Sequence, residues 1–276
     1  MQEVIREKAA SLLRDGTVTR VLAWKRGELG YDVTPAVFTS EDQLSELVYN
    51  GFCGANMSKY TVKLSHGEGK TAVFLKPCDT YSFNQLLCEH RIIRDNVYVV
   101  GIPCNGMLDE GKMKHLVPEL LGEDGEVLDS HRFDEVERLE AMTPDERYAF
   151  WQGELSRCIR CNACRNVCPA CTCEKCVFDN PESGVENKAA ANSFEEKLFH
   201  VIRAFHVAGR CTDCGECSRV CPQNIPLHLL NRKFISDINR LYGDYQAGET
   251  DNGRSPLVNF NKGDGEPCDF DKGGRE

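Results

Sequence analysis

The stretch RCIRCNACRNVCP occupies residues 157–169, and RCTDCGECSRVCP occupies residues 210–222. One carries Cys158, Cys161, Cys164 and Cys168-Pro169; the other carries Cys211, Cys214, Cys217 and Cys221-Pro222 at the same offsets. C-x2-C-x2-C-x3-C-P, met twice, decides how the C-terminal half is built. Around these eight, the chain of 276 residues holds 16 cysteines in all. Cysteines in such number serve disulfides, zinc or iron–sulfur clusters. Disulfides belong to oxidising compartments. The N-terminal MQEVIREKAASLLRDG is charged and amphipathic, without the apolar h-region of a secretory signal. No apolar run approaches the roughly 18–20 residues that cross a bilayer. A cytoplasmic protein with reduced, metal-ligating thiols is expected.

Spacing selects the metal. Three closely spaced thiolates wrap three corners of a cubane, and the fourth, held away before its proline, reaches the neighbouring cluster. Cys158, Cys161, Cys164 and Cys221 are therefore assigned to one [4Fe–4S] cluster, and Cys211, Cys214, Cys217 and Cys168 to a second. Zinc needs four ligands, usually as two separated pairs, and has no use for this run twice over.

Between Cys168 and Cys211 lie 42 residues. There, Asn192-Ser193-Phe194-Glu195-Glu196 reads as an N-cap with an acidic first turn, and apolar residues recur helically at Leu198, Val201, Ile202 and Phe205. A second helix is expected from about Ile225 through Leu241, stopping at Gly243, and a third carries Phe150, Trp151 and Leu155 into Cys158. His200 and His206 on the first of these read as structural side chains, the alternative being hydrogen bonding to sulfide that tunes a cluster's potential. Clusters embedded between helices, with a long helical insert, resemble the α-helical ferredoxin domain of succinate dehydrogenase, fumarate reductase and heterodisulfide reductase iron–sulfur subunits. That resemblance covers about residues 143–245. Cys171, Cys173 and Cys176 crowd behind the first run in PACTCEKC; they shield the first cluster, stand as free thiols on a loop or contribute to a third centre.

Residues 1–140 read as an α/β domain. A helix is expected over 2–14, strands over Val18–Trp24 and Tyr31–Phe38, and a helix over Glu41–Tyr49 after a Ser40 cap. The clearest unit is strand Thr71–Leu75, loop Lys76–Thr80, helix Ser82–Ile93 and strand Val97–Ile102, an order that predicts parallel neighbours. Cys78 and Cys104 then follow the carboxyl ends of adjacent strands, the edge where open α/β sheets put ligands. LKPCDT and YVVGIPCNGM in this context resemble the β-subunit family of deazaflavin-reducing (coenzyme F420) hydrogenases and formate dehydrogenases, over perhaps residues 15–110. The resemblance implies Cys78 and Cys104 as ligands of a third [4Fe–4S] cluster beside a flavin. The family's C-x2-C after the second strand is missing; Cys173 and Cys176 are the candidate substitutes, with Cys53 or Cys171 as alternative ligands.

The expected fold is thus α+β: an α/β domain with a partly parallel sheet (1–140), an α-helical dicluster ferredoxin domain (141–245) and a loosely ordered tail (246–276). Lys and Arg number 33 against 43 Asp and Glu, a net charge of −10, which gives no basic face for nucleic acid. Gly67-Glu68-Gly69-Lys70-Thr71 precedes a strand where a phosphate loop would follow one, and no G-x-G-x-x-G follows a strand, so a Rossmann nicotinamide site has no support; a flavin is expected only as a possibility without a motif of its own. The expected function is an iron–sulfur electron-transfer subunit of a soluble multisubunit anaerobic oxidoreductase, of hydrogenase, formate dehydrogenase or heterodisulfide reductase type. Its partners would be other redox subunits or a flavoprotein. The alternative is a flavin-containing reductase of deazaflavin coenzyme or ferredoxin acting through the N-terminal domain.

Overall fold

The computed structural model describes residues 1–28, 32–108, 132–180, 182 and 194–259. Its fold is α+β. Described residues of Met1–His115, Val167–Ala170 and Gly248–Gly253 form one compact unit, and those of Leu116–Asn166, Cys171–Ala247 and Arg254–Glu276 form another.

The first unit is built on a four-stranded sheet of order β2-β1-β3-β4, from β1 (Arg20–Arg26), β2 (Val33–Phe38), β3 (Thr71–Leu75) and β4 (Val97–Gly101). β1 pairs antiparallel with β2 and parallel with β3; β3 pairs parallel with β4 in the register Thr71–Val97 to Leu75–Gly101. β3, TAVFL, is buried at every position, as an interior parallel strand must be. Helix α1 (Gln2–Arg14) turns Ile5, Ala9 and Leu12 into the core, at helical spacing. Trp24, Phe38, Phe74, Leu22 and Leu86 complete that core.

Two elements differ from the sequence expectation for physical reasons, and a third carries no sequence expectation. The stretch expected to be a helix over Glu41–Tyr49 is one 3-10 turn, Asp42–Glu46. The chain then turns back so that Val48 N–H donates to the Trp24 carbonyl at 2.9 Å, and a sheet contact replaces helix propagation. The loop expected at Lys76–Thr80 is already helix, because α3 runs Pro77–Cys88. Proline at the first helical position carries a pre-set φ, and the Lys76 N–H donates to the Asp79 carboxylate at 3.3 Å. Helix α2 (Met57–Ser65) has no strong apolar period; it buries Ser58, Thr61 and Ser65 with Met57, capped by the Asn56 side chain, which accepts from Ser58 N–H. Gly69 (φ +78°) lies in the turn before β3, where a Cβ would stand 2.3 Å from the Thr19 hydroxyl; it shapes a turn rather than a phosphate loop.

The second unit is helical: α4 (Asp134–Glu140), α5 (Pro144–Ser156), α6 (Ala163–Val167), α7 (Phe194–His206), α8 (Glu216–Arg219) and α9 (Leu227–Tyr242). A Thr143/Glu146 capping box opens α5, and Gly243 at φ +87° closes α9. The Asn192-Ser193 cap expected for α7 lies outside the described residues. The core contains Leu155, Phe178, Phe199, Ile225 and Leu227 together with Cys158, Cys164 and Cys217. Cysteines here are interior packing residues. Within the stretch expected as a tail, the Asn84 amide donates to the Gly248 carbonyl at 3.0 Å and Cys88 Sγ reaches the Thr250 carbonyl at 3.3 Å. No helix among the described residues is long and apolar enough to cross a membrane.

Candidate iron–sulfur centres

The two cysteine runs share a backbone. Arg160 and Asn162 have φ of +57° and +62°; Asp213 and Gly215, two and four residues after their own first cysteine, have +58° and +72°. Three of these four are not glycine, so the left-handed geometry carries a local cost that the loop's use must offset. Left-handed turns of this kind point successive backbone N–H groups into a concavity that suits an anion, including iron–sulfur clusters. One such group, Arg160 N–H, donates to Cys158 Sγ at 3.4 Å.

The first centre is a void in the helical unit lined by Cys158, Cys161, Cys164 and Cys221. Three of these thiols come from the first run and the fourth from the end of the second. Phe199, Ile225 and Leu227 wall it with apolar surface. Among the described residues no three His, Cys, Asp or Glu side chains converge tightly enough to hold a single metal ion. The four cysteines line a void and do not meet at a point. Burial pushes the Cys164 thiol up to about 12; Arg203 pulls the other way, and Cys217, Cys158 and Cys221 add to the rise. Without metal this sulfur keeps its proton, and ligation has to release it.

Helix α7 supplies the flank of this centre. His200 is 1% exposed and its Nε2 lies 3.2 Å from Cys158 Sγ. Burial drives its pKa down to about 3, helped by Arg203 and Arg160. The ring is therefore neutral at physiological pH. It has one N–H to give, and its Nδ1 has no hydrogen-bond partner among the described residues. Arg203, one turn on, is 2% exposed. Arg160 stacks its guanidinium 4.0 Å from the Phe199 ring centroid. From sequence a structural role for His200 is preferred, with hydrogen bonding to sulfur as the alternative; the structure brings its Nε2 to a sulfur of the first run.

The second run has other surroundings. Asp213 accepts from Arg132 Nε at 2.8 Å and from Arg232 Nε at 2.8 Å. Glu216, 4% exposed, accepts from Arg219 at 2.6 and 3.1 Å. Asn231 of α9 points its amide at Cys217 Sγ over 3.7 Å. Cys211 and Cys214 are half-buried. Cys168 falls in Val167–Ala170, which groups with the first unit. Of the extra cysteines, Cys173 is exposed, Cys171 is half-buried, and Cys176 packs against the core around Cys158.

At the carboxyl edge of β3 and β4 the first unit gathers Cys53, Cys78 and Cys104, with Tyr49, Lys76 and Asp79. Cys53 is pushed up to about 11 by burial, opposed by the Asn50 N–H and by Lys76, and raised further by Cys104. Cys78, open to solvent on one side, reaches about 11 through desolvation on its protein side, then through Asp79, with Lys76 opposing and Cys104 adding. Each thiol thus senses Cys104. Lys76 is fully buried, with its ammonium 2.9 Å from the Ala55 carbonyl, 3.0 Å from Asp79 and 4.7 Å from the Trp24 ring centroid. Cys173 and Cys176 belong to the other unit.

A family of 4Fe-4S dicluster domains matches residues 154–225. The chain is similar to the β subunit of an F420-dependent formate dehydrogenase of Methanocaldococcus jannaschii, at 24% identity over 91% of this chain and 92% of the relative. It is 36% identical to subunit β of F420-dependent formate dehydrogenase 1 of Methanococcus maripaludis, over 34% of this chain and 24% of that one. It is also 36% identical to a ferredoxin, ferredoxin-3, of Sinorhizobium fredii, over 29% of this chain and 76% of the ferredoxin.

Proposed function

The chain belongs with the 4Fe-4S dicluster ferredoxins and is a homologue of F420-dependent formate dehydrogenase β subunits, and from that premise we propose that it is the electron-relay subunit of a multisubunit oxidoreductase. It passes single electrons between partner redox subunits through two [4Fe–4S] clusters. Cys158, Cys161, Cys164 and Cys221 hold one; Cys211, Cys214, Cys217 and Cys168 hold the other. The observation that carries this reading is the void lined by three thiols of one run and the last thiol of the other.

Each cluster, once bound, accepts and returns one electron. The protein's own contribution is physical. Arg160 N–H in the left-handed loop donates to Cys158 Sγ, Phe199, Ile225 and Leu227 wall the first centre with apolar surface, His200 Nε2 stands 3.2 Å from Cys158 Sγ, and the Asn231 amide donates toward Cys217 Sγ. Cys164 and Cys217 lie within electrostatic reach of each other, which supports a short path between the centres.

A second reading is favoured by the electrostatic proximity of Cys53, Cys78 and Cys104 beside Lys76. In it, Cys78 and Cys104 help hold a third cluster, with Cys173, Cys176, Cys53 or Cys171 completing it, next to a flavin that reduces a deazaflavin or ferredoxin. Flavin content after anaerobic purification, with a count of electrons taken up per chain, decides between them. Two one-electron uptakes without flavin support the relay. Flavin taking up two further electrons supports the reductase.

A further inference from the structure

We propose that helix α7 orders the two centres in potential: through His200 and Arg203 it makes the cluster at Cys158, Cys161, Cys164 and Cys221 the more oxidising of the pair. The inference rests on the dicluster relay proposed above and adds the direction in which the relay runs.

The driving physics is charge. A cubane with four thiolates is an anion, and reduction adds one more negative charge. Potentials follow hydrogen bonds to the sulfurs, net charge nearby and burial. A donor to a ligand sulfur and a buried cation both stabilise the added electron, and both act more strongly where water is excluded. The first centre has both from one helix. His200 Nε2 stands 3.2 Å from Cys158 Sγ, and Arg203, three residues on and 2% exposed, acts electrostatically on Cys164. Arg160 adds a cation from within the run itself, held against the Phe199 ring.

At the second centre one equivalent position carries the opposite sign, and a further carboxylate is added. Asp213 stands where Arg160 stands, two residues after the first cysteine of its run, and Glu216 is buried beside Cys217. Their arginines, Arg132, Arg232 and Arg219, are engaged by those two carboxylates at 2.6–2.8 Å, so two of the three positive charges there are offset at close range. The sulfur donor there is the Asn231 amide, at 3.7 Å instead of 3.2 Å. One electron entering at the second centre therefore leaves it oxidised and reduces the first, with no proton exchanged.

The test is a redox titration of the full anaerobic chain followed by electron paramagnetic resonance. The wild type should show two one-electron steps. His200→Leu and Arg203→Met should each move only the higher step downward, by about tenfold in the reduced-to-oxidised ratio at fixed potential, which is 59 mV for one electron. Arg203→Lys should restore most of that shift. Asn231→Leu should move only the lower step, and iron and sulfide per chain should stay constant in all four. Displacement of the lower step by either α7 variant, or no displacement with iron intact, would overturn the proposal. Should the α7 variants lose iron, the wild type with 15N-labelled histidine still decides. Poised so that one cluster is reduced, it should show an imidazole nitrogen coupling; coupling that appears only after the second reduction contradicts the inference. A wild type lacking two cluster-based one-electron steps instead defeats the relay reading beneath it.

Discussion

The two cysteine runs have one spacing and one backbone but different electrostatic settings. Both place left-handed residues two and four positions after the first cysteine. Yet the first is flanked by Arg160, His200 and Arg203, and the second by Asp213 and Glu216 with their arginine partners. The backbone and spacing are repeated where the proposed ligands sit, while the neighbouring charge differs between the two runs.

Breaking the repeated part should give the largest effects. Cys161→Ser or Cys214→Ser removes one ligand of a single cluster and should cost about half the iron, with loss of helical signal in circular dichroism, because metal binding and folding are coupled. Cys221→Ser sharpens the comparison further. Its spectroscopic consequences should match those of Cys158→Ser and differ from those of Cys217→Ser, since its sulfur lines the void of the other run. Phe199→Ala opens the wall of the first centre. Phe199 is 1% exposed and its ring centroid lies 4.6 Å from that of Phe178; such truncations cost about 3–5 kcal/mol. Iron release to a chelator should accelerate, and the first cluster's signal should fade before the second's.

A smaller effect concerns acid. His200 has a folded pKa of about 3 against 6.5 for the free side chain. The unfolded state binds this proton first, so the contribution to stability is complete above pH 6.5 and is lost as pH falls toward about 3, at no more than about 1.4 kcal/mol per pH unit. His200→Gln should flatten the acid limb of a stability-versus-pH curve and leave the alkaline limb alone. Smallest of all, Cys78→Ser should leave the iron and spectra of both dicluster centres unchanged. Loss of all iron there would mean that the two units do not hold their metal separately.

The cysteine runs, the parallel β3–α3–β4 unit and helices α1, α5 and α9 were legible because each rests on local chemistry: ligand offsets, an apolar period, a cap, a glycine stop. The Cys78 helix start was missed because Pro77 was read as part of a loop, although proline suits a first helical turn. Helix α2 was invisible because its buried face is Ser58, Thr61 and Ser65, whose burial depends on α3 and β3 across the chain: Ser58 Oγ donates to the Asp79 carbonyl at 2.7 Å. The helix expected over Glu41–Tyr49 gave way to the 3-10 turn Asp42–Glu46 because Val48 is tied to Trp24 of β1. His200 carries no motif at all. Its meaning comes from a sulfur 42 positions away, and sequence spacing cannot encode that.

Iron, acid-labile sulfide and zinc per chain, measured after strictly anaerobic purification, test the central claim most directly. Two [4Fe–4S] clusters require about eight irons and eight sulfides with no stoichiometric zinc; about four irons, or zinc in place of iron, would contradict it.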